Sequence, residues 1–228
     1  MQRKLGLKGD AVDGVFGPDT ALRVEEWKWR VGYPKDGINS TLGLTGLGLL
    51  FGEIEFPEDF RRRAEERARA EAKDGAAIDR FIRRGEWRIT GNPQYSAHSP
   101  LAGLGRVFVR VGRRYGVDPR FLVAIAAHEG RLGTYKPIQR KHNTFGLGPG
   151  RSFPSWEANI EAAARNLARP RGFYAGKNTI RKIGLTWAPL GAGNDPDDLN
   201  RHWVSSVTRF YGQLGGDEDC DAVVKTRP

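Results

Sequence analysis

"VAIAAHEGRLG", residues 123–133, opens with five apolar residues and then turns polar at His128, Glu129 and Gly130. Ahead of it stands "DPRFL", residues 118–122. Asp118 suits an N-cap and Pro119 the first helical position. The residues that follow are apolar on every side, which predicts the buried central helix of an α domain. The helix should end near Glu129, with Gly130 as the residue just past its end. A carboxylate there is unusual, because burying one without a partner is costly. Desolvation and the negative end of the helix dipole would both raise its pKa. A carboxyl still protonated near neutral pH can act as a general acid. A glutamate facing water at a helix end is the plainer reading of the periodicity alone.

The neighbouring segments give more helices. Residues 104–115 carry Val107, Phe108 and Val111 on one side, and Gly116 ends that run. Ser155 caps a helix over 156–167, and Asp197 or Asp198 starts a last one reaching about 214. Residues 91–100, "GNPQYSAHSP", read as a loop. No run of strands is evident, so the expected fold class is mainly α.

The first fifty residues contain a weak echo: "DGVFGPDT" from Asp13 and "DGINSTLG" from Asp36. Each Asp-Gly suits a tight turn. Between them, residues 20–31 place Val24, Trp27 and Val31 at helical spacing. Residues 57–73, "PEDFRRRAEERARAEAK", are charged almost throughout. A helix polar all round usually lies in solvent between domains. Asp74-Gly75 should break it, and 76–84 should add a short amphipathic helix with Ile78, Phe81 and Ile82 on one face. The expected divisions are 1–52, a small domain; 53–85, a charged helical connector; 86–217, the main domain; and 218–228, a flexible acidic tail.

The 228 residues carry a formal charge of +10, which attracts polyanions without choosing among them. The one cysteine, Cys220, excludes a disulfide framework within the chain. No apolar run approaches the roughly 20 residues that span a bilayer, and the N-terminus lacks the apolar core of a signal peptide. "HEGRL" begins like a zinc-protease motif, but Leu132 stands where the second histidine belongs. The four histidines show no ligand spacing, and no glycine-rich loop matches a nucleotide fingerprint. No metal or cofactor is expected.

Two resemblances add to this reading. "YGVDPRFLVAIAAHEGRLGTY" followed by "HNTFGLGP" resembles the lysozyme-like glucosaminidases that cleave peptidoglycan. In that family a buried helix ends in Glu-Ser-x-x-Gly, and an Asn-x-Phe-Gly turn follows some fifteen residues later. The matching positions are Glu129, Gly130, Gly133, Asn143, Phe145 and Gly146. The likeness runs from about 91 to 216. Gly130 departs from it, since serine is usual there. At the other end, Gln2, Leu5, Gly6, "DGVFGPDT", Trp27, Gly32 and "DGI" resemble a small three-helix peptidoglycan-binding domain. "INSTLG" departs from the second repeat of that pattern.

The resemblance implies a lysozyme-like fold and a role for each matched residue. Glu129 would be the general acid. Asn143 and the backbone of Phe145 and Gly146 would line the sugar groove. Tyr174 falls near a tyrosine that faces the reacting sugar, and is expected to be catalytic. Trp187 would stack on a sugar and stands where relatives often carry tyrosine; Trp203 is expected in the core. A second carboxylate would have to come from Glu157, Glu161, Asp195 or Asp197, each also readable as solvated or capping. A substrate-assisted route needs none of them.

The function so implied is cleavage of the β-1,4 bonds between GlcNAc and MurNAc, as glucosaminidase or muramidase. Lytic transglycosylase chemistry on the same fold is an alternative. So is a non-catalytic protein that binds cell wall or nucleic acid. The expected partners are peptidoglycan and anionic wall polymers, not nucleic acid or membrane, with the protein a monomer. The arrangement resembles a phage endolysin, made in the host cytoplasm and released through a holin, or carried by the virion.

Overall fold

The computed structural model describes residues 1–85, 87–148, 150–193, 195, 197–217 and 222–225. It is mainly helical, with no strands among the described residues and only two isolated bridges, Tyr95 with Tyr135 and Val117 with Val224. The chain divides into two compact units, Met1–Ala72 and Lys73–Pro228. Cys220, with most of the expected acidic tail, lies outside the described residues.

The first unit contains α1 (Pro18–Arg30), α2 (Leu44–Phe51) and the first part of α3 (Glu58–Arg84). Pro18 opens α1 at a position where its missing N–H costs nothing. Val24 and Trp27 of α1 pack with Leu5, Leu49 and Leu50 as the core. Gln2 holds the first Asp-Gly turn from inside: its amide donates to Asp13 Oδ1 at 2.8 Å and accepts from Gly14 N at 3.0 Å. Gly32, at φ +89°, ends beside α3 so closely that a Cβ would overlap the Phe60 carbonyl.

The charged segment departs from its expectation twice. Its first part is not a solvated connector but part of the first unit. Arg63 donates to Gly32 O at 2.7 Å, and Arg67 donates to Trp29 O at 2.8 Å and Tyr33 O at 2.7 Å. These guanidinium groups add donors to the carbonyls at and just past the end of α1. Nor does Asp74-Gly75 break the helix; α3 runs unbroken to Arg84.

In the second unit, Ile78 and Ile82 bury the last part of α3. Gly75 and α4 (Gly105–Tyr115) meet backbone to backbone. A Cβ on Gly75 would lie 2.8 Å from Arg106 N, and one on Gly105 would lie 2.0 Å from Gly75 O. The glycine that reads as a helix breaker is therefore a contact point. Gly116, at φ +70°, closes α4 as expected.

Next comes α5 (Pro119–Gly130), capped by Asp118, whose side chain accepts from Arg120 N at 2.8 Å. Phe121 to Ala127 are buried without exception, because α5 is packed by α4, α7 (Trp156–Ala168) and α9 (Trp203–Gln213). Burying each of Phe121, Leu122 and Ile125 contributes roughly 1.5–3 kcal/mol. The short α6 (Lys136–Gln139) follows α5, and α8 (Ile180–Trp187) packs on α9. Ser155 caps α7 through Ala158 N, as expected.

Residues 222–225 depart from the expected flexible tail. Val223 and Val224 are buried. Val223 O accepts from Asp118 N, Val223 N donates to Asn178 O, and Lys225 N donates to Gly116 O, each at 2.8 Å. No helix of the described residues is long and apolar enough to cross a membrane.

Candidate active site

The end of α5 is built under conformational tension. Gly130 is not left-handed; Arg131 (φ 47°) and Leu132 (φ 50°) are, followed by Gly133 (φ 78°). Ordinary residues avoid that region. Leu132 is fully buried, its carbonyl accepts from Ser99 Oγ at 2.6 Å, and Thr134 Oγ1 donates to Arg131 O at 2.8 Å. Burial and these bonds hold the corner that sets where Glu129 points. Gly130 itself is packed against Thr144: a Cβ there would lie 2.6 Å from both Thr144 O and Oγ1. This is a physical reason for glycine where the resembling family has serine.

Glu129 is exposed on one side. Yet protein crowds its carboxyl, and desolvation raises its pKa above the ordinary carboxylate value. Both statements hold, because a carboxyl set among large side chains keeps one wet face and loses the rest of its hydration. Two indoles work in the opposite direction. Trp203 Nε1 donates to Glu129 Oε1 at 2.7 Å and Trp187 Nε1 donates to the same oxygen at 2.8 Å. Donors favour the charged form, but burial outweighs them.

The aromatic residues form one cluster. Trp187 and Trp203 stack with centroids 6.1 Å apart, and Tyr174 tilts against Trp187 at 5.7 Å. Burial, and then the charge of Glu129, push the Tyr174 hydroxyl up to about 12. His128 meets the Trp203 edge at 6.2 Å, and burial, Arg131 and His202 bring it down to about 4. His128 is therefore neutral at pH 7.

Of the turn at 143–146, Gly146 is the residue placed beside Glu129. It is exposed, at φ +63°, and a Cβ there would lie 3.6 Å from Glu129 Oε2. The Phe145 side chain is buried and anchors the turn in the core, while the expected groove role concerns its backbone. Asn143 is also buried. It donates to Leu147 O and Arg151 O, each at 3.2 Å, and accepts from Leu147 N at 3.0 Å. Asn159 of α7 reaches the same turn, accepting from Thr144 N at 2.9 Å and donating to Asn143 Oδ1 at 3.3 Å. Asn143 is thus a staple for the turn rather than a ligand for substrate. Trp187, expected as a sugar platform, is half-buried, and its N–H donates to Glu129. Trp203 is buried as expected, with a bond to Glu129 that its spacing did not announce.

Two of the four candidate second carboxylates have other partners. Glu161 pairs with Arg114 at 2.9 Å and accepts from Tyr115 OH at 2.8 Å. Asp195 accepts from Leu199 N and Asn200 N at 2.9 and 2.8 Å. Glu157 and Asp197 are exposed. A separate depression of about 490 Å³ lies at Trp87, Arg88, Gly91, Tyr95 and Thr134, and Glu129 does not line it. Among the described residues no group of three or more His, Cys, Asp or Glu stands close enough to hold a metal ion.

Chemically, the arrangement offers one carboxyl with a raised pKa, a free oxygen beside an open glycine backbone, and a flanking tyrosine. In comparison with known proteins, the chain matches no family model and no curated protein.

Proposed function

We propose that this protein hydrolyses the glycan strands of bacterial peptidoglycan at β-1,4 bonds between GlcNAc and MurNAc, with Glu129 as general acid on a lysozyme-like second unit. The observation that carries the reading is the Glu129 carboxyl, pushed toward its protonated form by burial, with Oε2 beside the exposed Gly146. A glycosidic oxygen must be protonated as its bond to the anomeric carbon breaks, and a carboxyl of raised pKa can supply that proton.

The second half of the reaction needs a group to meet the positive charge on the sugar. Glu161 and Asp195 are committed elsewhere. Glu157 and Asp197 stay exposed, and a substrate-assisted route needs none of the four: the N-acetyl oxygen attacks its own anomeric carbon as Glu129 protonates the leaving oxygen, and water later opens the ring. The same observation supports a second reading, a lytic transglycosylase, in which the 6-hydroxyl attacks instead of water.

The first unit would hold the enzyme on its substrate. A shallow depression of about 330 Å³, lined by Tyr33, Thr41, Leu44, Thr45 and Ile54, supports a contact of this kind. The charge of +10 supports attraction to anionic wall polymers. An endolysin-like delivery, from host cytoplasm or virion, belongs to the same reading, as does action as a monomer.

The test is turbidity of cell walls with wild type beside Glu129→Gln, followed by mass spectrometry of the fragments. The expected outcome is at least a thousandfold loss in the variant with its fold retained. Anhydro sugars would assign the protein to the transglycosylase reading. Near wild-type clearance by Glu129→Gln would sink both, and absence of clearance by wild type would favour a wall-binding protein without activity.

A further inference from the structure

We infer that Trp187 and Trp203 are positioning residues that fix the acid proton of Glu129 on Oε2, the oxygen facing Gly146. An indole N–H can only donate. Both indoles reach one oxygen, Oε1, at 2.7 and 2.8 Å. A carbonyl-type oxygen has two lone pairs, and two N–H groups occupy them. A proton on Oε1 would have to displace a donor that has no acceptor role to fall back on. Oε2 is the oxygen that holds the proton in the neutral acid.

Gly146 completes the geometry. Its missing side chain leaves open the space next to Oε2, since even a Cβ would sit 3.6 Å from that atom. A substrate oxygen approaching there meets the O–H directly. When the proton leaves, the new charge is shared with Oε1, where two donors already point. They need no reorganisation at the moment of transfer, which is how fixed dipoles favour a transition state. The indoles thus set both the direction and the strength of the acid.

The titratable and charged neighbours do not account for this. Tyr174 is pushed to about 12 and stays protonated, and His128, held to about 4, stays neutral. Arg131 and His202 act on His128. The influences on Glu129 are burial and the two indoles.

The proton assignment stands on geometry; its catalytic use rests on the proposed function. The test reads the two separately. The Glu129 carboxyl carbon is titrated by NMR in wild type, Trp187→Phe and Trp203→Phe, each checked for fold by circular dichroism. Losing one charge-assisted donor should raise the Glu129 midpoint by about one pH unit. In turnover, the alkaline limb should move up by the same amount, and kcat should fall about tenfold with KM little changed. Unmoved midpoints, or a rise in KM alone as a sugar-stacking role would give, would overturn the inference. If the variants do not fold, the unmutated protein still decides. Both indole N–H resonances should titrate with the Glu129 midpoint, and resonances that ignore it would overturn the inference. Midpoints that move in a protein without wall-degrading activity uphold the proton assignment and remove the proposed function.

Discussion

At the scale of single residues, the site works by opposing influences on neighbours. Burial raises Glu129 and lowers His128, one residue apart on α5. His128 binds its proton near pH 4 when folded but near its ordinary value of 6.5 when unfolded. The unfolded chain therefore takes up protons first as pH falls. The associated stability is complete above 6.5 and is lost through the window from 6.5 to 4. For a half-buried ring the expected loss is about 1–2 kcal/mol by pH 5. Thermal midpoints of wild type between pH 7 and 5 should fall, and His128→Phe should flatten that slope. How much of the site was readable follows from the same residues. Glu129 was legible because a carboxylate closing an apolar run is a local conflict visible in one line of sequence. Its two indole partners were not, because they stand 58 and 74 residues away. Asn143 misled because a buried, satisfied amide and an exposed one have the same letter. Gly130 was expected to be left-handed, but contact with Thr144 explains that glycine, and Arg131 takes the left-handed place.

At the scale of elements, caps and periodicity carried the reading well. Asp118, Ser155 and Gly116 begin or end their helices where their side chains or conformational freedom predict. The charged helix differs from its expectation because composition cannot tell a guanidinium in water from one on a carbonyl. Arg63 and Arg67 are the second kind. Gly75 shows the same limit, since a lone glycine signals a break and a close crossing equally. The crossing makes a sharp prediction. Gly105→Ala would drive a methyl into the Gly75 carbonyl and force α3 from α4. The expected cost is about 2–3 kcal/mol, read as a lower denaturant midpoint. An alanine exchange at the open Gly103, where a Cβ meets nothing within 4 Å, should not share that packing cost; any loss there would come from its φ of +95°.

At the scale of the whole molecule, the two units have separate cores and the chain passes between them inside α3. In the second unit the segment 222–225 closes over the start of α5, through Asp118 N and Gly116 O. Removing residues 222–228 would strip two buried valines and three backbone bonds from that end. The valines alone are worth about 3 kcal/mol. A drop of roughly 6–12 °C in the second unit's melting temperature is expected by calorimetry, since each kcal/mol shifts a domain of this size by about 2–4 °C. That figure gives scale to the corner at Arg131 and Leu132. Two ordinary residues held in the left-handed region cost roughly 2–4 kcal/mol together. Domains of this kind have net stabilities of about 5–15 kcal/mol. The turn behind Glu129 is therefore a loaded spring whose frame is the core itself. Loosening that frame would release the corner, and the aim of the carboxyl would go with it.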